Sequence, residues 1–221
     1  MRRLASAALA GVQAALCVVS AAVAAGPPPA ATAPFDDYVM ALSWSPGFCD
    51  LGGERKLPRQ CAVGSGYGFV VHGLWPDNRF GPDPADCDSD ADLSAADLAA
   101  ANGLYPTDGL AAYEYRKHGT CTGLDAADYF AAVRYVRDQL VIPQALKGVR
   151  AWRRVPPDEI RQAFIDANAN LRPDNIAVTC TRGQLIDVRL CVSKNLKAFA
   201  TCPQVARNSC RGDSIAVAPL R

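Results

Sequence analysis

The sequence predicts an α+β fold stapled by disulfides, and three observations carry that expectation. Period-2 apolar runs stand early and late in the chain, helical patterns lie between them, and the cysteines beyond the N-terminal segment are even in number. The 221 residues are 50% apolar and 20% charged, which excludes disordered and fibrous classes and fits one domain or two small ones. No repeat of about 20 to 50 residues occurs, so a solenoid is excluded. A formal net charge of +1 lacks the bulk basic character of a protein that coats nucleic acid, yet leaves room for a local phosphate site.

Residues 1–25 pair Arg2 and Arg3 with a long Ala/Val/Leu stretch and end in Ala22, Val23, Ala24 and Ala25. This is the pattern of a secretory signal peptide; the rival reading, an uncleaved anchor, is disfavoured by Ser6, Gln13 and the many alanines. Cys17 is expected to leave with the leader. Loss of Arg2 and Arg3 brings the 23 basic residues close to balance with the 22 acidic ones. Residues 26–34 (GPPPAATAP) read as an extended Pro/Ala linker, and the folded domain is expected over 35–221.

Asp37 to Trp44 sets Tyr38, Met40, Leu42 and Trp44 on one side of a strand, and Tyr67 to Leu74 forms a second aromatic and β-branched run. Helices are expected over Ser94–Ala101, opened by a Ser with Asp97 three residues on, then over Leu110–His118, Asp125–Leu140 and Pro157–Ala167. Ile176–Thr181 and a run alternating Ile186, Val188, Leu190 and Val192 with Asp187, Arg189 and Cys191 flank Arg182-Gly183. They read as a hairpin.

Cys49, Cys61, Cys87, Cys121, Cys180, Cys191, Cys202 and Cys210 make four disulfides in an exported chain. Spacing leaves all 105 pairings open. Zinc is disfavoured, because no C-x-x-C pair exists and the chain has only two histidines.

Those histidines stand in the segments that carry chemistry. His72 heads His72-Gly73-Leu74-Trp75-Pro76-Asp77, close behind an apolar strand and thus near its expected end, with Trp75 offering a flat face for stacking. On a helix over Leu110–His118, Glu114, Lys117 and His118 stand at i, i+3 and i+4 and share one face, and Gly119 reads as the helix stop. Two imidazoles, an ammonium and a carboxylate suit phosphoryl transfer. One imidazole takes a proton, another delivers one, and a fixed cation meets the charge on the phosphoryl oxygens. The bland alternative stays open on spacing alone: a solvated helix face with a Glu–Lys pair, and two histidines that serve packing.

HGLWPD at His72–Asp77 and KHGTC at Lys117–Cys121, with LSWSP from Leu42 and Cys49 behind it, resemble the active-site segments and first strand of the ribonuclease T2 family. The resemblance spans roughly Phe35 to Cys210. It implies an antiparallel sheet flanked by helices and a secreted or periplasmic endoribonuclease. Such an enzyme acts on single-stranded RNA with low base specificity, through a 2′,3′-cyclic phosphate. No metal or other cofactor, no stable membrane association after leader cleavage and a monomer are expected. By the same resemblance His118 is the general base, His72 the general acid, Glu114 and Lys117 stabilise the phosphorane, and Trp75 and Asp77 border a base site. The implied disulfides are Cys87–Cys121, Cys180–Cys210 and Cys191–Cys202, with Cys49–Cys61 added by proximity.

One departure stands out. The family's second segment usually opens His-Glu-Trp, and here Tyr113-Glu114-Tyr115 occupies it. Tyr113 lies four residues before Lys117 and offers a hydroxyl to a phosphate oxygen, but no positive charge. That substitution motivates the rival reading, a catalytically impaired relative that binds RNA or a protein. Asp88, Asp90 and Asp92 lack the Gly and Glu of a calcium loop, and the arginines around Trp152 read as a basic turn.

Overall fold

The structure, a computed structural model, describes residues 26–221. The expected leader, residues 1–25, lies outside the described residues. Chain order runs β1 (Asp37–Trp44), α1 (Ser45–Asp50), β2 (Phe69–Asp77), α2 (Ala95–Ala100), α3 (Asp108–Lys117) and α4 (Ala126–Gln139). It continues with β3 (Arg153–Val155), α5 (Pro157–Ala167), β4 (Ile176–Thr181), β5 (Gln184–Ser193), α6 (Pro203–Ala206) and β6 (Ile215–Val217). Six strands form one open sheet in which β2, β1 and β5 are adjacent and antiparallel, with β4 antiparallel to β5. The α+β class is as predicted. Among the described residues no helix is long and apolar enough to cross a membrane.

β1 alternates as its sequence suggests. Tyr38, Met40, Leu42 and Trp44 enter the main core, where α4 brings Tyr129, Phe130, Val133 and Val136 and α5 brings Ile160 and Phe164. The opposite face is also covered near β1: Val39 packs with Ala177, Cys191, Ala200, Cys202 and Val205 in a second apolar cluster. Buried on both faces, β1 is the spine of the sheet.

Local signals set the helix starts. Ser94 and Asp97 form the expected reciprocal cap of α2, Asp125 caps α4 through Asp128 N, and Pro157 stands in the first turn of α5. Thr107, at Leu110 N, starts α3 two residues before the predicted Leu110. The helix ends at Lys117, so His118 is its C-cap with φ −123°, rather than its last helical residue. Gly119 is not a left-handed stop either. A Cβ there would meet the rings of Tyr115 and Tyr129, so its smallness serves packing.

The hairpin of β4 and β5 turns through Arg182 (φ 51°) and Gly183 (φ 74°), as the two-residue primed turn requires. Its strict alternation fails at one point. Thr179 pairs with Asp187 and Cys180 with Leu185, leaving Ile186 unpaired, so Leu185 rather than Ile186 is the fully buried residue.

All four disulfides pair as expected: Cys49–Cys61, Cys87–Cys121, Cys180–Cys210 and Cys191–Cys202. Cys87–Cys121 ties the segment before α2 to the turn that follows α3. The linker joins the domain at its last residues, where the amides of Thr32 and Ala33 both donate to Thr122 O.

Candidate active site

β2 differs from its predicted span in a way that builds the site. It begins at Phe69, two residues after the expected Tyr67, and runs on to Asp77 through Pro76. As an edge strand paired only with β1, it tolerates the missing amide. His72 therefore stands in mid-strand rather than near its end. It sits in a bulge: Leu42 pairs with Val71 and Ala41 with Gly73, so His72 has no partner on β1. Residues three apart on a regular strand point to opposite faces. The extra residue reverses that parity, and the rings of His72 and Trp75 meet edge-to-face with centroids 5.1 Å apart.

α3 brings the second segment to this edge. Glu114 is buried and His118 half-buried, and the helix is moored by Tyr115 and Ala111 in the main core. Trp75 Nε1 donates to Glu114 Oε2 at 2.8 Å, while Glu114 Oε1 lies 3.8 Å from His72 Nε2. The ring of His118 stands 5.2 Å from the indole of Trp75 at an interplanar angle of 34°. Trp75 is thus the common neighbour of both imidazoles and of the carboxylate. Gly73 makes this possible, because a Cβ there would collide with Trp75 Nε1 and Glu114 Oε2.

β5 completes the ring with two residues, Asp187 and Arg189, that the strand's alternation places on one side together with Cys191 without pointing to a role for them. Asp187, buried on the sheet, has Oδ1 3.5 Å from His72 Nδ1, and Arg189 Nη2 lies 3.2 Å from Asp187 Oδ2. The guanidinium of Arg189 stands 5.2 Å from the centroid of the Trp75 ring. His72, Asp187, Arg189, Trp75 and Glu114 form a closed circuit. The alternation that exposed Asp187 and Arg189 as a strand face was visible in the sequence; that β2 would bulge toward them was not.

The predicted sites fall into two groups. His72, Trp75, Glu114 and His118 converge, with Lys117 beside them on α3. Lys117 Nζ donates to the Tyr113 hydroxyl at 3.0 Å, so Tyr113, half exposed, engages the ammonium it precedes by one turn. Asp77 lies two residues beyond Trp75 in a neighbouring cleft of about 200 Å³. There its carboxylate accepts from Gln204, with Arg79, Asp83, Arg189 and Asn208 around the same cleft. The Trp75 ring, expected to offer a flat face for stacking, already has the Arg189 guanidinium and the tilted ring of His118 each 5.2 Å from it. A cavity of about 570 Å³ between α4, the end of α5 and the segment after β5 is lined by none of these residues.

Electrostatics separate the two imidazoles. Burial opposes a charge on His72, but Asp187 and Glu114 outweigh it and hold the imidazole above its ordinary value. His118 goes the other way: burial, then the nearby Lys117 and His72, push it down to about 4. Burial raises Glu114, a shift partly offset by His72, Trp75 and Lys117. Asp187 is buried too, yet His72 and Arg189 keep it below the ordinary carboxylate value. The shifts lower the proton affinity of His118 and raise that of His72, so between the two values the first offers a free lone pair while the second still carries a proton.

Comparison with known proteins places this geometry in context. The sequence model of the ribonuclease T2 family matches residues 35–202. A protein named probable ribonuclease from Haemophilus influenzae is 34% identical over 155 residues, covering 63% of this chain and 57% of that one. A ribonuclease from Aeromonas hydrophila is 38% identical over 112 residues, covering 51% and 49%. The match thus spans about half the length of these two relatives. Among solved structures, a variant of RNase MC1 from bitter gourd seeds, in complex with 5′-UMP, superposes with a TM-score of 0.64 at 19% identity. It covers 83% of this chain and 99% of the other.

Proposed function

The chain belongs to the ribonuclease T2 family, and from that premise we propose that it is a metal-independent endoribonuclease that cleaves single-stranded RNA by transphosphorylation. The observation that carries this reading is the opposite displacement of two imidazoles around one indole. His118, neutral, takes the proton of the ribose 2′ hydroxyl through its ring nitrogen. The 2′ oxygen attacks phosphorus, and negative charge grows on the non-bridging oxygens next to Lys117. His72, protonated, gives its proton to the departing 5′ oxygen. A 2′,3′-cyclic phosphate and a free 5′ hydroxyl are the products, and the two histidines end with their protonation states exchanged. Each proton transfer is worth about 10² to 10⁴ in rate.

Glu114 holds the site together through Trp75 and faces His72 Nε2, where it biases the imidazole toward its charged form. A base is proposed to border Trp75 and Asp77 in the neighbouring cleft, and Tyr113 to add its hydroxyl to a phosphate oxygen beside Lys117. The leader pattern and four disulfides support export to a periplasm or beyond the cell.

The test is incubation of the purified protein, disulfides formed, with single-stranded RNA in a metal chelator from acidic to neutral pH, beside His118→Ala. Cyclic phosphate ends made by the wild type and lost in the variant are expected. No cleavage at any pH would overturn the reading in favour of a binding protein.

A further inference from the structure

His72 Nδ1 and Asp187 Oδ1 are both fully buried, and neither has a hydrogen-bond partner among the described residues. They face each other at 3.5 Å, a few tenths of an ångström beyond a made bond. Two orphaned polar atoms of complementary kind, left in a site of low dielectric, are each other's available partner. Asp187 is otherwise fixed. Its second oxygen meets Arg189 at 3.2 Å, and its place in the ladder is set by pairing with Ser43 on one side and Thr179 on the other.

The sheet is built to allow the contact. His72 is on β2 and Asp187 on β5, with β1 between them. At the crossing β1 presents Ala41 and Ser43, both small, so the imidazole and the carboxylate reach each other over the middle strand. The bulge at His72 turns the ring to that side.

We propose that Asp187 is the positioning residue of the general acid: it accepts a hydrogen bond from His72 Nδ1–H, fixing the tautomer and aiming Nε2 and its proton into the cleft. The role rests on the ribonuclease reading above. A carboxylate that orients an imidazole and stabilises its cation is a known requirement of histidine relays, and catalytic hydrogen bonds shorten in the Michaelis or transition-state complex. Arg189 keeps the carboxylate ionised and correctly turned, while Glu114 faces the other ring nitrogen. The groups facing His72 are therefore Asp187 and Arg189 from β5 and Glu114 from α3, with burial acting against its charge.

Asp187→Asn preserves size and removes the charge; Asp187→Glu restores it on a longer arm. Two substrates separate the role from mere structure. A dinucleoside phosphate has a 5′ alkoxide leaving group that needs an acid, whereas a uridine 3′-nitrophenyl phosphate has one that does not. With Asp187→Asn, kcat on the dinucleotide is expected to fall by about 10- to 100-fold, less than the roughly 10²- to 10⁴-fold that a whole general acid supplies, because His72 itself remains. On the activated ester it changes less than about threefold, and Asp187→Glu recovers part of the loss. Equal losses on both substrates would overturn the proposal.

Nuclear magnetic resonance titration of His72 supplies a readout independent of turnover. Its midpoint is expected to move down in Asp187→Asn and stay near wild type in Asp187→Glu; an unmoved midpoint in Asp187→Asn would overturn the positioning role. A wild-type chain without cleavage but with this shift would sink the ribonuclease reading alone and leave the Asp187–His72 coupling standing.

Discussion

A proton relay between His118 and His72 works only while the first is neutral and the second charged. His118 lies at about 4 and His72 above its ordinary value, so the two limbs of the pH profile are assigned in advance. Activity rises with pH as His118 loses its proton near 4, and falls again where His72 loses its own, above 6.5. A plateau between these two limbs is expected in kcat/KM on a dinucleotide; an acid limb with its midpoint at or above 6.5 would refute the assignment. Tyr113→His adds a group that charges in acid beside Lys117. It should lower KM by about fivefold below pH 6, worth about 1 kcal/mol, and leave the cyclic phosphate product unchanged. Loss of that product would count against Tyr113 as a mere phosphate contact. His72, Glu114, Lys117 and His118 were legible because their spacing and motifs are local in sequence. Asp187 and Arg189 were not, since a strand's alternation says which residues share a face and nothing about what lies across it.

At the scale of elements, the bulged edge strand β2 and the short helix α3 do the assembling. A regular strand through His72 and Trp75 would turn them to opposite sides, and the one local hint of the extra residue is Gly73, which in a strand interior reads equally as a bulge or as a close backbone approach. Bulges arise from the register that two strands and their core adopt together. The start of α3 was underestimated because Thr107, a good cap, lies outside the apolar pattern. The helix end was overestimated because His118 keeps the helical bond from its amide to Glu114 O, 2.9 Å, while its own φ has left the helix. Gly73 is where the two elements touch. Gly73→Ala should push Trp75 and Glu114 apart, lowering kcat by about 10²-fold while costing about 1 to 3 kcal/mol of stability. Turnover and urea unfolding measured on the same sample check both. Unchanged turnover in a folded variant would show that the Trp75–Glu114 bond does not hold the site.

Across the whole molecule, a sheet covered on both faces near β1 must accommodate buried carboxylates. Asp37, Asp77 and Asp187 are all buried, and each is handled differently. Asp37 pairs with Arg79 at 2.8 Å, Asp187 with Arg189 and His72, and Asp77 accepts from the neutral amide of Gln204 with the carboxyls of Asp83 and Asp37 nearby. The four disulfides, each worth about 2 to 4 kcal/mol through the unfolded chain, give the domain the margin to carry such groups. Burial, only partly offset by Gln204 and reinforced by Asp83 and Asp37, lifts Asp77 from 3.8 to about 6. A carboxyl raised in the folded state binds its proton there more tightly than in the unfolded chain. Its contribution to stability is full below 3.8 and is lost as pH rises through about 6. Asp77→Asn cannot titrate, and its amide oxygen still accepts from Gln204. The variant should therefore gain about 2 to 3 kcal/mol relative to wild type on going from pH 4 to pH 7.5, read as a difference in urea unfolding free energy. The same difference at both pH values would mean that Asp77 is ionised at no cost in the fold, and the cleft beside Trp75 would then be a more polar base site than its burial implies.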